Sequence, residues 1–140
     1  MKVLIDANVV LDVLLNRTPW VAESRAVWDA NHRQQIHGYV VATTLTNIFY
    51  VARRLVGFSL AMQGVRACLA AFHVLPVDGN ALNEATNLAG SDFEDNVTIR
   101  CAANFQVDVI VTRNLADFSQ SPIPAVLPGD LIARINSSGV

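Results

Sequence analysis

Short apolar runs alternate with stretches of helical period along the whole chain. Between Lys2 and Asp6 nothing polar intervenes, so residues 2–6 predict a central strand buried on both faces of a parallel sheet. Val9, Val10, Leu11, Val13, Leu14 and Leu15 predict a short, mostly buried helix over 8–15. Asn16-Arg17-Thr18-Pro19 breaks it, and Pro19 suits the first turn of a helix running through Trp20, Val27 and Trp28 to Arg33. Ile36 to Ala42 predicts a second strand, with Thr43 or Thr44 as the cap of the next helix. Leu45, Ile48, Phe49, Ala52 and Leu55 recur at helical spacing up to Gly57, a C-terminal cap residue, and Ser59 is placed to cap a helix reaching Ala71. Residues 72–77 predict a third strand, and Asp78 caps a helix running to Ala89 before Gly90. Asp92 opens the helix containing Val97, Ile99, Cys101 and Ala102, and residues 107–112 form a fourth strand. Val126-Leu127 predicts a short fifth strand, followed by a last helix opened by Pro128 and Asp130. Strands alternating with helices imply a three-layer α/β/α sandwich with a mostly parallel central sheet and right-handed crossovers. The expected organisation is a single domain over 1–136 with a frayed tail over 137–140.

Composition narrows the class. An apolar fraction of 52% against 16% charged residues, in 140 residues, fits one compact domain and excludes a disordered chain. No apolar run reaches the roughly 18 residues of a membrane span. Asp6 interrupts the apolar region a secretion signal would need. Cys68 and Cys101 stand singly in helical patterns without ligand spacing, so they read as buried reduced thiols and not as zinc ligands or a disulfide. Together these features favour the cytosol. The formal net charge of −2 argues against a passive binder of many phosphates. It leaves room for an enzyme that meets phosphate through a bound metal and a few arginines. Nine of the ten basic residues are arginine, which suits bidentate phosphate or carboxylate contacts as well as it suits genomic bias. Mean hydropathy of +0.35 suggests more apolar surface than one modest core absorbs, hence a homodimer. Trp20, Trp28, Phe49 and Tyr50 are its candidate contacts, and each reads equally as core.

The chemistry concentrates in two acidic stretches. Val3-Leu4-Ile5-Asp6-Ala7-Asn8 is an apolar strand tipped by a carboxylate, and ligands of open α/β sheets bind at that strand edge. Ser91-Asp92-Phe93-Glu94-Asp95 packs three carboxylates into four residues before a helix. So much negative charge calls for water or a cation, and a hard divalent ion such as Mg²⁺ or Mn²⁺ is the natural occupant if both stretches meet. Strand C-termini share one edge, which brings Asp6 toward the 112–117 loop. Whether the acidic turn opened by Asp92 reaches the same edge does not follow from topology. His32, His37 and His73 are scattered without partner spacing, which excludes histidine-based catalysis.

Leu-Ile-Asp-Ala-Asn-Val near the N-terminus, Ser-Asp-Phe-Glu-Asp before a helix and Val-Thr-Arg-Asn-Leu-Ala-Asp-Phe after a strand together resemble the PIN-domain family of metal-dependent ribonucleases. The resemblance spans essentially the whole chain. It implies an acidic site holding one or two Mg²⁺ or Mn²⁺ ions, with Asp6 and Asp95 at the first and third family acids. Where the family usually places a glutamate, the matching turn offers Asn47, and the fourth position falls on Asn114, with Asp117 three residues on. Asn can ligate Mg²⁺ through its carbonyl oxygen but adds no charge. The implied catalytic residues are therefore Asp6, Asp95 and Asp117, with Glu94 and Asn114 as further metal-facing groups. Asn8, Asn47 and Thr112 support them, and Arg113 is a candidate phosphate contact; Arg53, Arg54 and Arg100 read equally as solvated helix faces. Other roles stand beside these: Asp6 and Asp92 as helix caps, Glu94 and Asp95 as favourable first-turn charges, Asp117 as a loop residue. The resemblance implies hydrolysis of RNA phosphodiesters, and among small relatives a VapC-like toxin with a homodimeric build and an antitoxin partner. The alternative is a catalytically silent PIN-like module binding RNA or a protein. A phosphatase or nucleotide hydrolase fits Asp6 but explains the 112–117 motif less well.

Overall fold

The computed structural model describes residues 1–138. β1 (Lys2–Ile5), α1 (Ala7–Leu14), α2 (Val21–His32), β2 (His37–Val41), α3 (Ala42–Val56) and α4 (Phe58–Ala71) make the first half. β3 (His73–Leu75), α5 (Gly79–Ala85), α6 (Phe93–Asn104), β4 (Val109–Val111), a 3₁₀ turn (Leu115–Phe118), β5 (Ala125–Val126) and α7 (Pro128–Ser138) make the second. The five strands among the described residues form one sheet of order β3-β2-β1-β4-β5, every pair parallel. Val3 stands beside Gly38 on one side and Val109 on the other, so β1 is the middle strand.

Alternation along the central strands sorts the core into two layers. Val3, Ile5, Val40, Val109 and Val111 face one way and pack with Val9, Val10, Val27, Ile48, Cys68 and Leu131 of α1–α4 and α7. Leu4, Val41 and Ile110 face the other way and pack with Ala81, Ala85, Val97 and Cys101 of α5 and α6. The three-layer sandwich is thus built on a sheet whose middle strands are apolar on both faces. Cys68 and Cys101 are free and buried, and burial pushes the Cys68 thiol up to about 12. No described helix is long and apolar enough to cross a membrane.

Two caps are as the residue types dictate. The Asp78 carboxylate accepts from the Ala81 N–H at 2.9 Å, and Asp92 Oδ1 accepts from the Asp95 N–H at 3.1 Å. Gly57 closes α3 and opens α4 in one step, with φ 88° and ψ 171°, a conformation open essentially to glycine alone. Other boundaries differ from expectation. β2 runs straight into α3 with Val41 at the cap position and no side-chain cap, so neither Thr43 nor Thr44 serves that role. Gly57, not Ser59, precedes α4. Pro19 lies in the turn before α2, and α5 stops at Ala85, short of Ala89. The expected frayed tail is helical to Ser138, and residues 139–140 lie outside the described part.

Candidate active site

The site forms where β1, β2 and β4 end. Asp6 follows β1 and caps α1, its Oδ1 accepting from the Ala7 N–H at 2.9 Å. Its Oδ2 accepts from Thr112 Oγ1 at 2.8 Å and from Asn8 Nδ2 at 3.0 Å. The cap thus uses Oδ1 and leaves Oδ2 to Thr112 and Asn8. Thr112 follows β4, is fully buried, and its hydroxyl also accepts from the Asn114 N–H at 3.0 Å. Asn8 Oδ1 in turn accepts from the Arg113 N–H at 3.2 Å. Burial raises the Asp6 carboxyl above its ordinary value, against the pull of the Thr112, Ala7 and Asn8 hydrogen bonds, and Asp117 adds repulsion.

The acidic turn opened by Asp92 comes to the same edge. Burial pushes the Asp95 carboxyl up to about 7, and the negative charges of Asp6, Asp92, Asp117 and Glu94 reinforce the shift. Glu94 is raised first by burial and then by Asp92 and Asp6, while Asn47 opposes the shift. Asn47 Nδ2 of α3 donates to Glu94 Oε1 at 3.1 Å, tying α3 to α6 across the site. Asp117 sits exposed on the 3₁₀ turn, and with Asp95 it lines a cleft of about 180 Å³ that also touches Gly90, Ser91, Asp92 and Asn96. Asn114 is exposed, and its backbone N–H is what engages Thr112.

Asp6, Glu94, Asp95 and Asp117 thus share one electrostatic field. Among the described residues, however, no three His, Cys, Asp or Glu side chains stand close enough to form a ready-made metal cage. The donor set is all oxygen, and Asp95 is destabilised as an anion by its neighbours; both suit a hard divalent cation. The residues present fit such an ion in their chemistry, and side-chain movement is needed to gather three of them on it.

Arg113 grips Asp12 with guanidinium Nε at 2.7 Å and a second nitrogen at 3.0 Å, and it stacks on Trp20 at 4.1 Å from the ring centre. Its support for the site runs through its backbone N–H. Arg100 is likewise engaged, by Glu84 at 2.7 Å. Sequence reasoning passed over Asp12 and the buried Asn96, which donates to the Gly90 carbonyl at 2.9 Å. The available signal for Asp12 was a lone charge inside an apolar helix, four residues from Asn8.

A family model described as the PIN domain matches residues 2–116. The chain belongs to the PIN-domain family. Among curated proteins, none matches it. Solved structures share its fold. VapC20 of Mycobacterium tuberculosis, a Sarcin-Ricin loop cleaving toxin, superposes with a TM-score of 0.71 at 11% identity, over 86% of this chain and 95% of that one. DNA-bound VapBC from Salmonella typhimurium gives 0.69 at 19% identity, over 91% of this chain and 98% of that chain. PAE2754 from Pyrobaculum aerophilum gives 0.67 at 19% identity, over 98% and 96%. This PIN domain therefore shares its fold with these structures over 86–98% of its length.

Proposed function

We propose that this PIN domain is an Mg²⁺- or Mn²⁺-dependent endoribonuclease. The observation that carries the reading is the convergence of Asp6, Glu94, Asp95 and Asp117 from three separate segments on one sheet edge, with Asp95 pushed up to about 7. Asp6 and Asp95 would hold the ion, with Asp117, Glu94 and the Asn114 carbonyl oxygen completing the set. When bound, such an ion polarises a phosphodiester oxygen and lowers the pKa of an attacking water. The chain's own part is to aim the ligands. Thr112 and Asn8 fix the Asp6 carboxylate, and Asn47 restrains Glu94. Because water and not the ribose hydroxyl is the nucleophile, the cut leaves a 5′-phosphate.

Incubation with a panel of structured RNAs in millimolar Mn²⁺ should give discrete products with 5′-phosphate ends, and excess EDTA should remove them. Products with 2′,3′-cyclic phosphate, or cleavage indifferent to EDTA, would sink the reading. The toxin–antitoxin complex from Klebsiella pneumoniae among the structural neighbours supports a toxin role held in check by an antitoxin, and action on RNA would place the protein in the cytosol. A second reading, a silent module binding RNA or protein, draws on Asn47, whose uncharged amide engages Glu94 where another acid would add to the site's charge.

The homodimer is proposed on the α3–α4 face. Tyr50, Leu55, Phe58 and Leu60 are each more than half exposed there, beside a groove lined by Leu45, Phe49, Met62 and Val65. Trp28 packs edge-on against Phe72 at 4.7 Å, whereas Trp20 stacks one face on Arg113 and remains 44% exposed. Light scattering at micromolar concentration should return twice the 15.2 kDa chain mass, reduced to the monomer by Tyr50→Glu/Phe58→Glu. A monomeric wild type would remove this part.

A further inference from the structure

Asp12 is fully buried on α1, yet it is ionisable and gathers three separate donors. Arg113 grips it in a two-nitrogen fork, Arg17 Nε approaches at 3.1 Å, and Ser24 Oγ donates at 3.0 Å. A carboxylate with this burial is costly to desolvate, and well-packed apolar side chains often stabilise such a place as well or better. The network is therefore poorly explained by stability alone. Its position suggests another use. Arg113 is flanked by Thr112 and Asn114, and its N–H is held by Asn8 Oδ1, while the Asn114 N–H is held by Thr112 Oγ1. The side-chain hydrogen bonds that orient Asp6 come from Thr112 and Asn8. Asp12 lies one helical turn from Asn8 on α1, so the same helix presents both the anchor of Arg113 and a partner of Asp6.

We propose that Asp12 is a positioning residue: by clamping Arg113 against α1 it fixes the backbone of 112–114, and so holds Thr112 and Asn8 in register with Asp6. Trp20, stacked over the guanidinium, closes the clamp on its other face. The device lies outside the acidic cluster. Its bearing on catalysis rests on the nuclease reading; its bearing on the 112–114 backbone does not.

Two variants separate positioning from bulk stability. Asp12→Asn keeps the shape and removes the charge. Asp12→Leu/Arg113→Met replaces the pair with apolar side chains and should recover the melting temperature lost in Asp12→Asn. In metal-free protein, amide hydrogen exchange should quicken by about tenfold or more at the backbone N–H groups of positions 113 and 114 in both variants, as expected for loss of restraining hydrogen bonds. Exchange at Ile5 and Val111, inside the sheet, should return to wild-type rates in the double variant. In the cleavage assay, kcat should fall on the order of a hundredfold with KM little changed, as for a small misplacement of a reacting group, and the double variant should not restore it. Wild-type exchange at positions 113 and 114 in the stably folded double variant would overturn the proposal, as would recovery of kcat together with stability. A wild type that cleaves nothing would count against the nuclease reading alone, since the exchange rates decide the clamp without RNA or metal.

Discussion

Asp6→Asn and Asp95→Asn should each reduce RNA cleavage below detection while the circular dichroism spectrum stays that of the wild type. The expected loss exceeds the roughly 10- to 100-fold typical of groups one step removed from a metal. Asp6 is the best-held carboxylate of the site, fixed by Thr112, Asn8 and the Ala7 N–H. Asparagine at position 6 still caps α1, so the fold has little reason to suffer. Asp95 is the acid most burdened by its neighbours, and neutralising it removes one of the carboxylates that meet there. Asp92→Asn should cost far less, because the carboxylate there bonds the Asp95 N–H and asparagine caps about equally well. Asn47→Glu should tighten Mn²⁺ binding by restoring charge. Undiminished cleavage by Asp6→Asn would place the activity elsewhere.

In EDTA the protein should lose stability as pH rises through the range in which Asp95 ionises, the reverse of the usual behaviour of an aspartate. Its ordinary value is 3.8 and the fold raises it to about 7. Between those values the folded chain keeps a proton that the unfolded chain has released, so stability falls with rising pH. The contribution is fully present below the unfolded value and gone once pH passes the folded one. Asp6 and Glu94, both raised, act in the same direction. Asp95 is partly open to water, so screening tempers the size of the effect without changing its sign. Urea unfolding at pH 5 and pH 8 should show wild type losing more stability over that interval than Asp95→Asn. Saturating Mn²⁺ should offset the loss, because binding requires the ionised carboxylates and releases the proton. Identical pH slopes in wild type and Asp95→Asn would contradict the crowding of charge on which the site rests.

Local signals carried well from sequence to structure. Asp78 and Asp92 cap their helices because a short carboxylate reaches the N–H three residues on, which depends on no distant partner. Gly57 marks a helix end because the backbone there needs a positive φ. Where the chain uses other means, the sequence is quiet. α2 and α6 are followed by Gln34 and Gln106 with φ of 61° and 53°, so no glycine flags their ends. The β2–α3 junction has no capping side chain, since the strand passes directly into the helix.

The meeting of Asp95 with Asp6 was harder to read. Two helices, α5 and α6, separate β3 from β4, so alternation alone does not fix which way α6 runs across the sheet. Asn47 was legible only through resemblance, and its hydrogen bond to Glu94 spans 47 residues of chain. Arg113 shows the limit most clearly. Its pairing with Asp12 is not legible in the sequence, because Asp12 lies 101 residues away and is marked only by its incongruous charge in an apolar helix.

The most direct measurement is the anomalous scattering of crystals grown with Mn²⁺ and diffracted near the manganese edge. A peak is expected between Asp6 and Asp95, within coordination distance of both carboxylates and absent from Asp6→Asn crystals. A peak elsewhere, or none at saturating Mn²⁺, would contradict the assignment of a metal-dependent site to this sheet edge.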